Sequence, residues 1–314
     1  MRIEKAFCVE LGKSLDIEQA REAYFAQGKR RRFTFLCSDE RCRASDPRIG
    51  VRVSGVNYDK LPNVDTIFKT AHFRRQDPHI PSCYWMEIKE AEDLERVSNN
   101  GNDLVSALTA KGMTVITRFS IPKTIATDTE QNEEQDEIDQ IRTKPSREER
   151  ISAYRKLFSG GGSSSKSLES LVSCYEELKH EEALDISIHV DSHGNYSFKD
   201  LFCHVANIKK DDRFHVYYGG AKLYKRYHPG FSLYFFDDVD VGNGGQRLSL
   251  YVDKQNAGRA NHLAETVDVA ESNPQSYLTV YWIGGVREEE RGLAVDINSL
   301  RHLALRFKVP QNRG

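Results

Sequence analysis

The sequence predicts an α+β protein: a small zinc-stapled β module with helices at the N-terminus, a helical linker region, and a C-terminal β-rich, OB-like barrel domain. Three observations predict it. Three of the six cysteines and two of the ten histidines fall between Phe33 and Cys83. From Thr124 to Gln140 the chain carries seven acids, Asp128 to Asp139, with no lysine or arginine and few apolar residues. After Arg213 the texture changes to long aromatic and β-branched runs separated by glycine-rich turns.

A chain of 314 residues has room for two domains or three small ones. The divisions expected are a zinc-binding module with flanking helices at 1–122, an acidic disordered linker at 123–146, a helical subdomain at 147–212 and the β-rich domain at 213–314. A net charge of -2 with a pI near 6.6 excludes a globally basic nucleic-acid binder, so any basic surface must be local. Met1-Arg2-Ile3-Glu4-Lys5 lacks the apolar core of a signal peptide, and no stretch approaches the ~20 apolar residues of a membrane span. Cysteines without a secretion signal point to reduced thiols and metal binding, and the expected location is cytoplasmic.

In chain order, residues 3–10 read as a strand, and Asp16 caps a helix that carries Ile17, Ala20, Ala23 and Tyr24 and stops at Gly28. Lys29, Arg30, Arg31 and Arg32 follow, a cation run suited to phosphate or simply to solvent. Phe33–Leu36, the valine-rich 49–56 and Lys69–Arg74 read as strands, and Pro62-Asn63 as a turn. Residues 87–111 read as helical, broken at Asn99-Asn100-Gly101, and Val115–Ile121 as a short strand. Helices are expected over Arg147–Phe158 and Ser167–His180, the second with Leu168, Leu171, Val172, Tyr175 and Leu178 in one stripe. Asp185–Val190 reads as a strand, His189 to His193 as an exposed turn, and Tyr196–Val205 as a closing helix.

The cysteines and histidines run C-x4-C, then H-x6-H-x3-C. Thiolates and imidazoles in this order suit a closed tetrahedral Zn2+ site, and a module this small needs such a staple. Cys37, Cys42 and Cys83 are the expected ligands. His72 and His79 compete for the fourth place, with His72 favoured and the other left as an outer partner. An aromatic strand, paired cysteines, a short sheet, then His72-Phe73 and Cys83 resemble the zinc-finger-like module at the N-terminus of the competence protein CoiA family, also found in bacterial mobile-element proteins. The resemblance covers about the first quarter of the chain. It departs from the family's C-x2-C and His-Phe-x-His in having C-x4-C and His-Phe-Arg-Arg. Family members carry a nuclease domain; here only Glu87-Ile88-Lys89 gives the E-x-K half of such a motif.

The last hundred residues order as β-β-β-α-β-β, with a bulge expected at Gly219-Gly220, which is the order of an OB-fold. Their chemistry is that of binding, because aromatic faces stack bases and interleaved cations follow phosphates. Lys222, Tyr224, Lys225, Arg226 and Tyr227 are the expected contacts. On Phe231–Phe236, Phe231, Leu233 and Phe235 face one way and Tyr234 and Phe236 the other. The sequence therefore points to a non-enzymatic DNA- or RNA-binding protein with structural zinc. Two alternatives are an effector of a mobile-element or antiviral defence system, toxin-like or nuclease-like, and an adaptor whose aromatic domain meets a protein partner.

Overall fold

The structure is a computed structural model and describes residues 2–46, 50–61, 71–86, 104–105, 108, 113, 115–122, 163–208, 213–240, 244–290 and 292–309. The acidic run, the helix expected over 147–158, most of that over 87–111, Pro62-Asn63 and Glu87–Lys89 lie outside the described residues.

The N-terminal unit is a six-stranded antiparallel sheet of β1 (Arg2–Ile3), β2 (Lys5–Cys8), β3 (Lys13–Asp16), β4 (Phe35–Cys37), β5 (Arg52–Val56) and β6 (His72–Arg75), in the order β1-β6-β5-β4-β2-β3. Helix α1 (Ile17–Phe25) begins with a reciprocal capping box: Gln19 N donates to Asp16, and the Gln19 side chain accepts from Asp16 N. It ends at Phe25, a turn before Gly28, with Ala26 as cap. A second helix, α2 (Glu40–Ala44), follows β4. Phe35 centres the core, with ring centroids 4.9 Å from Phe73 and 5.3 Å from Tyr58.

The middle of the chain builds a four-stranded sheet, β10-β9-β7-β8, from β7 (Ile116–Phe119), β8 (Ser163–Ser165), β9 (Ser187–Val190) and β10 (Gly194–Ser197). Residues 163–208 are therefore as much sheet as helix. Helix α3 (Leu168–His180), expected over Ser167–His180, is capped by Ser167 and buries its whole apolar stripe. The helix expected over Tyr196–Val205 is a correction. It resolves into the end of β10, the single turn α4 (Phe198–Leu201), the strand β11 (Phe202–His204) and a 3₁₀ turn. Pairing of β11 with the next strand satisfies its backbone in place of helical bonds.

The C-terminal sheet holds β12 (Val216–Arg226), β13 (Phe231–Asp240), β14 (Gly245–Val252), β15 (Tyr277–Ile283), β16 (Gly285–Glu289), β17 (Gly292–Asp296) and β18 (Leu303–Lys308). Its order is β16-β17-β14-β13-β12-β15-β18, with β11 parallel beside β12. The pairings described form an open path. β17 adds in parallel to β14 while β18 adds to β15, so the last strands extend opposite ends of the sheet, and no pairing among the described residues closes the OB-like barrel. The bulge expected at Gly219-Gly220 lies instead between Leu223 and Lys225, with a second irregularity in β13 between Tyr234 and Asp238. The two glycines make room: a Cβ at Gly219 would sit 2.7 Å from Val205 Cγ2, and one at Gly220 2.9 Å from the Phe236 ring.

Strand alternation sorts this sheet into two faces. Ala221, Phe231, Leu233, Leu250, Val280 and Trp282 pack with α5 (Lys254–Arg259) and α6 (Asn261–Glu271). Val216, Tyr281, Ile283 and Ala304 face the other way, in the core that holds α3. There Arg306, 1 % exposed, ion-pairs with Glu169 and Glu176 of α3.

The N-terminal unit docks through α1 on α6. Arg301 Nη2 reaches Glu22 at 3.4 Å, Arg30 pairs with Glu265, and the Phe25 and His262 rings lie 6.4 Å apart. The seam is polar. Glu18 Oε1, Arg21 Nε, His262 Nδ1 and Arg301 Nε are buried there without hydrogen-bond partners among the described residues. Burial, with Arg21 beside it, pushes the His262 imidazole down to about 3. A histidine neutral when folded but protonated at about 6.5 when unfolded costs stability as pH falls below about 6.5, by ~1.4 kcal/mol per unit until the folded value is reached. Asp16 and Glu22, raised by burial, act in the opposite sense. The difference in urea midpoint between wild type and His262→Gln isolates the term, and it should widen steadily from pH 6.5 to pH 4.5. A pH-independent difference would show that His262 ionises in the fold.

Candidate metal centre and candidate nucleic-acid interface

Cys37 ends β4, Cys42 sits in α2, and His79 and Cys83 lie on the loop that follows β6. Asp39 ties these segments together. Its carboxylate caps α2, accepting from Arg41 N at 3.0 Å and Cys42 N at 3.2 Å, and also accepts from Tyr84 N at 2.9 Å. Trp85 Nε1 donates to Ser38 Oγ at 2.9 Å across the same gap. The three thiols are wholly buried and His79 is 8 % exposed.

The four potential ligand atoms lie within 4.8 Å of one another. Cys37 Sγ is 3.6 Å from Cys83 Sγ, and His79 Nδ1 is 3.4 Å from Cys42 Sγ and 3.3 Å from Cys83 Sγ. A tetrahedral zinc would separate two sulfurs by about 3.8 Å and a sulfur from a nitrogen by about 3.6 Å. The cluster therefore has nearly the edges that a Cys3His ion would impose. Its thiols compete for charge. The hydrogen bond from Cys37 holds Cys83 down at about 4 against its burial, while that same bond and burial push Cys37 up, and burial pushes Cys42 up. Three thiolates at this spacing need a cation, and the donor set fits a closed metal site.

The choice of His72 is corrected. Phe73 points into the core at 2 % exposed, so strand alternation turns the half-buried His72 away from it, opposite Val56 in the ladder. His79 takes the place. A tight turn at Pro81-Ser82, closed by Cys83 N donating to Ile80 O at 2.9 Å, brings it beside Cys83. The H-x3-C spacing was the signal for it.

Of the cation run, all four side chains are exposed, but two also hold the fold. Arg30 covers Phe25 and pairs with Glu265, and Arg32 donates to Gly55 O at 2.9 Å beside Asp59.

The second candidate is the face of the C-terminal sheet that α5 and α6 do not cover. The helix α3 and its core lie over one end of it, around Tyr218 and Tyr281. Towards the β12–β13 connection the face carries Lys222, Tyr224, Lys225, Tyr234, Phe236, Arg247 and Tyr251. Tyr224, Phe236 and Tyr251 are 61 %, 57 % and 59 % exposed. The Tyr224 and Tyr234 rings lie 4.3 Å apart, with Arg247 over Tyr234 at 5.5 Å. Tyr227 meets Tyr251 edge-on at 5.8 Å and lies 5.3 Å from Lys225 Nζ. Phe236 meets Tyr277 at 5.9 Å.

Four of the five expected contacts, Lys222, Tyr224, Lys225 and Tyr227, thus gather here. Arg226 does not. The bulge pairs it with Phe231 of the core face, and its side chain, 6 % exposed, binds Asp268 and the Ala264, Pro229 and Gly230 carbonyls. Arg247 was missed, although its alternation with Ser249 and Tyr251 marks the strand face. His189 and Asp191 belong to a separate polar knot with Arg118 and Ser120.

No protein-family model matches the chain, and neither a curated protein nor a solved structure is significantly similar to it. Among the described residues, no helix is long and apolar enough to cross a membrane.

Proposed function

We propose that the protein binds single-stranded nucleic acid on the open face of its C-terminal sheet, with the Cys3His cluster holding a structural zinc ion. The observation that carries the reading is the exposure of Tyr224, Phe236 and Tyr251 on one face, among Lys222, Lys225 and Arg247. Large exposed rings are unfavourable in water unless something covers them. Bases of a single strand offer both their faces to such rings, whereas duplex bases are stacked on one another, and the cations suit the phosphates between. Zinc is the ion proposed because three thiolates and one imidazole in a closed, water-free tetrahedron match its preference, and the set leaves no open position for catalysis. This ion would tie β4, α2 and the loop of His79 together, so its role is to hold the N-terminal module.

Stacking contributes ~1–3 kcal/mol per base. Phe236→Ala with Tyr251→Ala should therefore weaken binding of a labelled thymidine octamer by about 30-fold or more in fluorescence anisotropy, at unchanged thermal stability. Unchanged affinity would move the ligand elsewhere. Failure of the wild-type protein to bind any oligonucleotide at micromolar concentration would favour a protein partner for the same rings.

A further inference from the structure

The open face carries one carboxylate that phosphate binding does not explain. Of the aspartates in β13, Asp237 lies 3.8 Å from His204 Nε2, and Asp240 accepts from Gly244 N at 3.2 Å. Asp238 is exposed and has neither an ion-pair nor a hydrogen-bond partner among the described residues. In the ladder it stands directly opposite Arg247. Directly opposed side chains on one sheet face start about 4.5–5.5 Å apart, close enough for these two to join. They do not. The Arg247 guanidinium lies over the Tyr234 ring instead, so both charged groups keep their hydrogen-bonding capacity beside Tyr234 and Phe236.

An acceptor pair next to a donor fork, flanked by rings, is a pattern that selects among bases. A carboxylate repels phosphate and accepts two hydrogen bonds, and a guanidinium only donates. Cytosine and adenine each set a ring acceptor beside their amino group, which a carboxylate rejects, and thymine and uracil offer one N–H between two carbonyls. Guanine alone aligns an acceptor, O6, with two adjacent donors, N1–H and the 2-amino group. We infer that Asp238 and Arg247 form a guanine-selective position on the aromatic face, with Asp238 taking N1–H and the 2-amino group and Arg247 donating to O6. The inference rests on the nucleic-acid reading above and adds a base preference to it.

Fluorescence anisotropy on the full chain tests it, comparing a thymidine octamer with the same oligomer carrying one central guanine, or hypoxanthine, which lacks the 2-amino group. The guanine should tighten binding at least about tenfold, and hypoxanthine should lose most of that gain. Asp238→Asn should abolish the gain while leaving the thymidine octamer bound as well as before or better. If the octamer binds but guanine adds less than about twofold, or Asp238→Asn keeps the gain, the selective position is overturned and the aromatic platform stands. If no oligomer binds, both fall.

Discussion

Cys83→Ser should unfold the N-terminal sheet while the C-terminal sheet stays folded. Cys83 touches both Cys37 and His79, so its loss removes a ligand shared by the two edges of the cluster. The remaining thiols are buried in the same core as Phe35, Phe73 and Trp85. Structural zinc contributes ~10–16 kcal/mol of apparent binding energy in small modules, more than such a unit can replace by burial. Hydrogen exchange of the amides in β1 to β6, read with metal content by mass spectrometry, checks this. Wild type should carry one zinc per chain and protect these amides. Cys83→Ser and His79→Ala should lose both metal and protection, and His72→Ala should lose neither. Protection that survives in metal-free Cys83→Ser would show that Phe35, Tyr58 and Phe73 suffice as a core.

The second large effect is expected at Arg306. Its guanidinium is buried between α3 and β18, where it pairs with Glu169 and Glu176 and donates to Ser173 Oγ at 3.1 Å. Burial lowers its proton affinity, but the two carboxylates outweigh burial and raise it. Glu176 is the counterpart: burial raises it, and Arg306 with Lys308 more than reverses that, so its carboxyl is held low. Arg306→Met leaves Glu169 without its cation and Glu176 with Lys308 alone, and removal of one member of a buried pair costs about 3–5 kcal/mol. Adding Glu169→Gln and Glu176→Gln should recover much of the loss, because an uncharged site of similar volume carries no orphaned charge. The sign with pH is fixed by the depressed carboxylate. Its contribution is present above about pH 4.5 and fades as pH falls through the lower folded value, so urea midpoints of Glu176→Gln should depend less on pH in that window than those of wild type.

Much of the local structure was legible because its causes are local. Asp16 caps the helix that follows it, and the stripe from Leu168 to Leu178 has the helical period. The gathering of Cys37, Cys42 and Cys83 was legible from their chemistry, although Cys37 and Cys83 are 46 residues apart. The histidine was not, since the choice between His72 and His79 turns on which way β6 faces. That is fixed by the burial of Phe73, a tertiary fact. Sheet order was hidden too, because nothing in β17 or β18 alone says which edge each will join. Arg226 failed by the same logic. Its partner Asp268 lies 42 residues away, on a helix that sequence alone does not dock.

The aromatic face is the centre of the account, and a salt series tests it most directly. Binding of a thymidine octamer and of its duplex should be measured from low to moderate salt. With Lys222, Lys225 and Arg247 as the cations on the face, the single strand should show a log–log slope near about −2, and the duplex should bind at least about tenfold more weakly. Equal affinity for both, or binding indifferent to salt, would contradict a stacking platform for single strands.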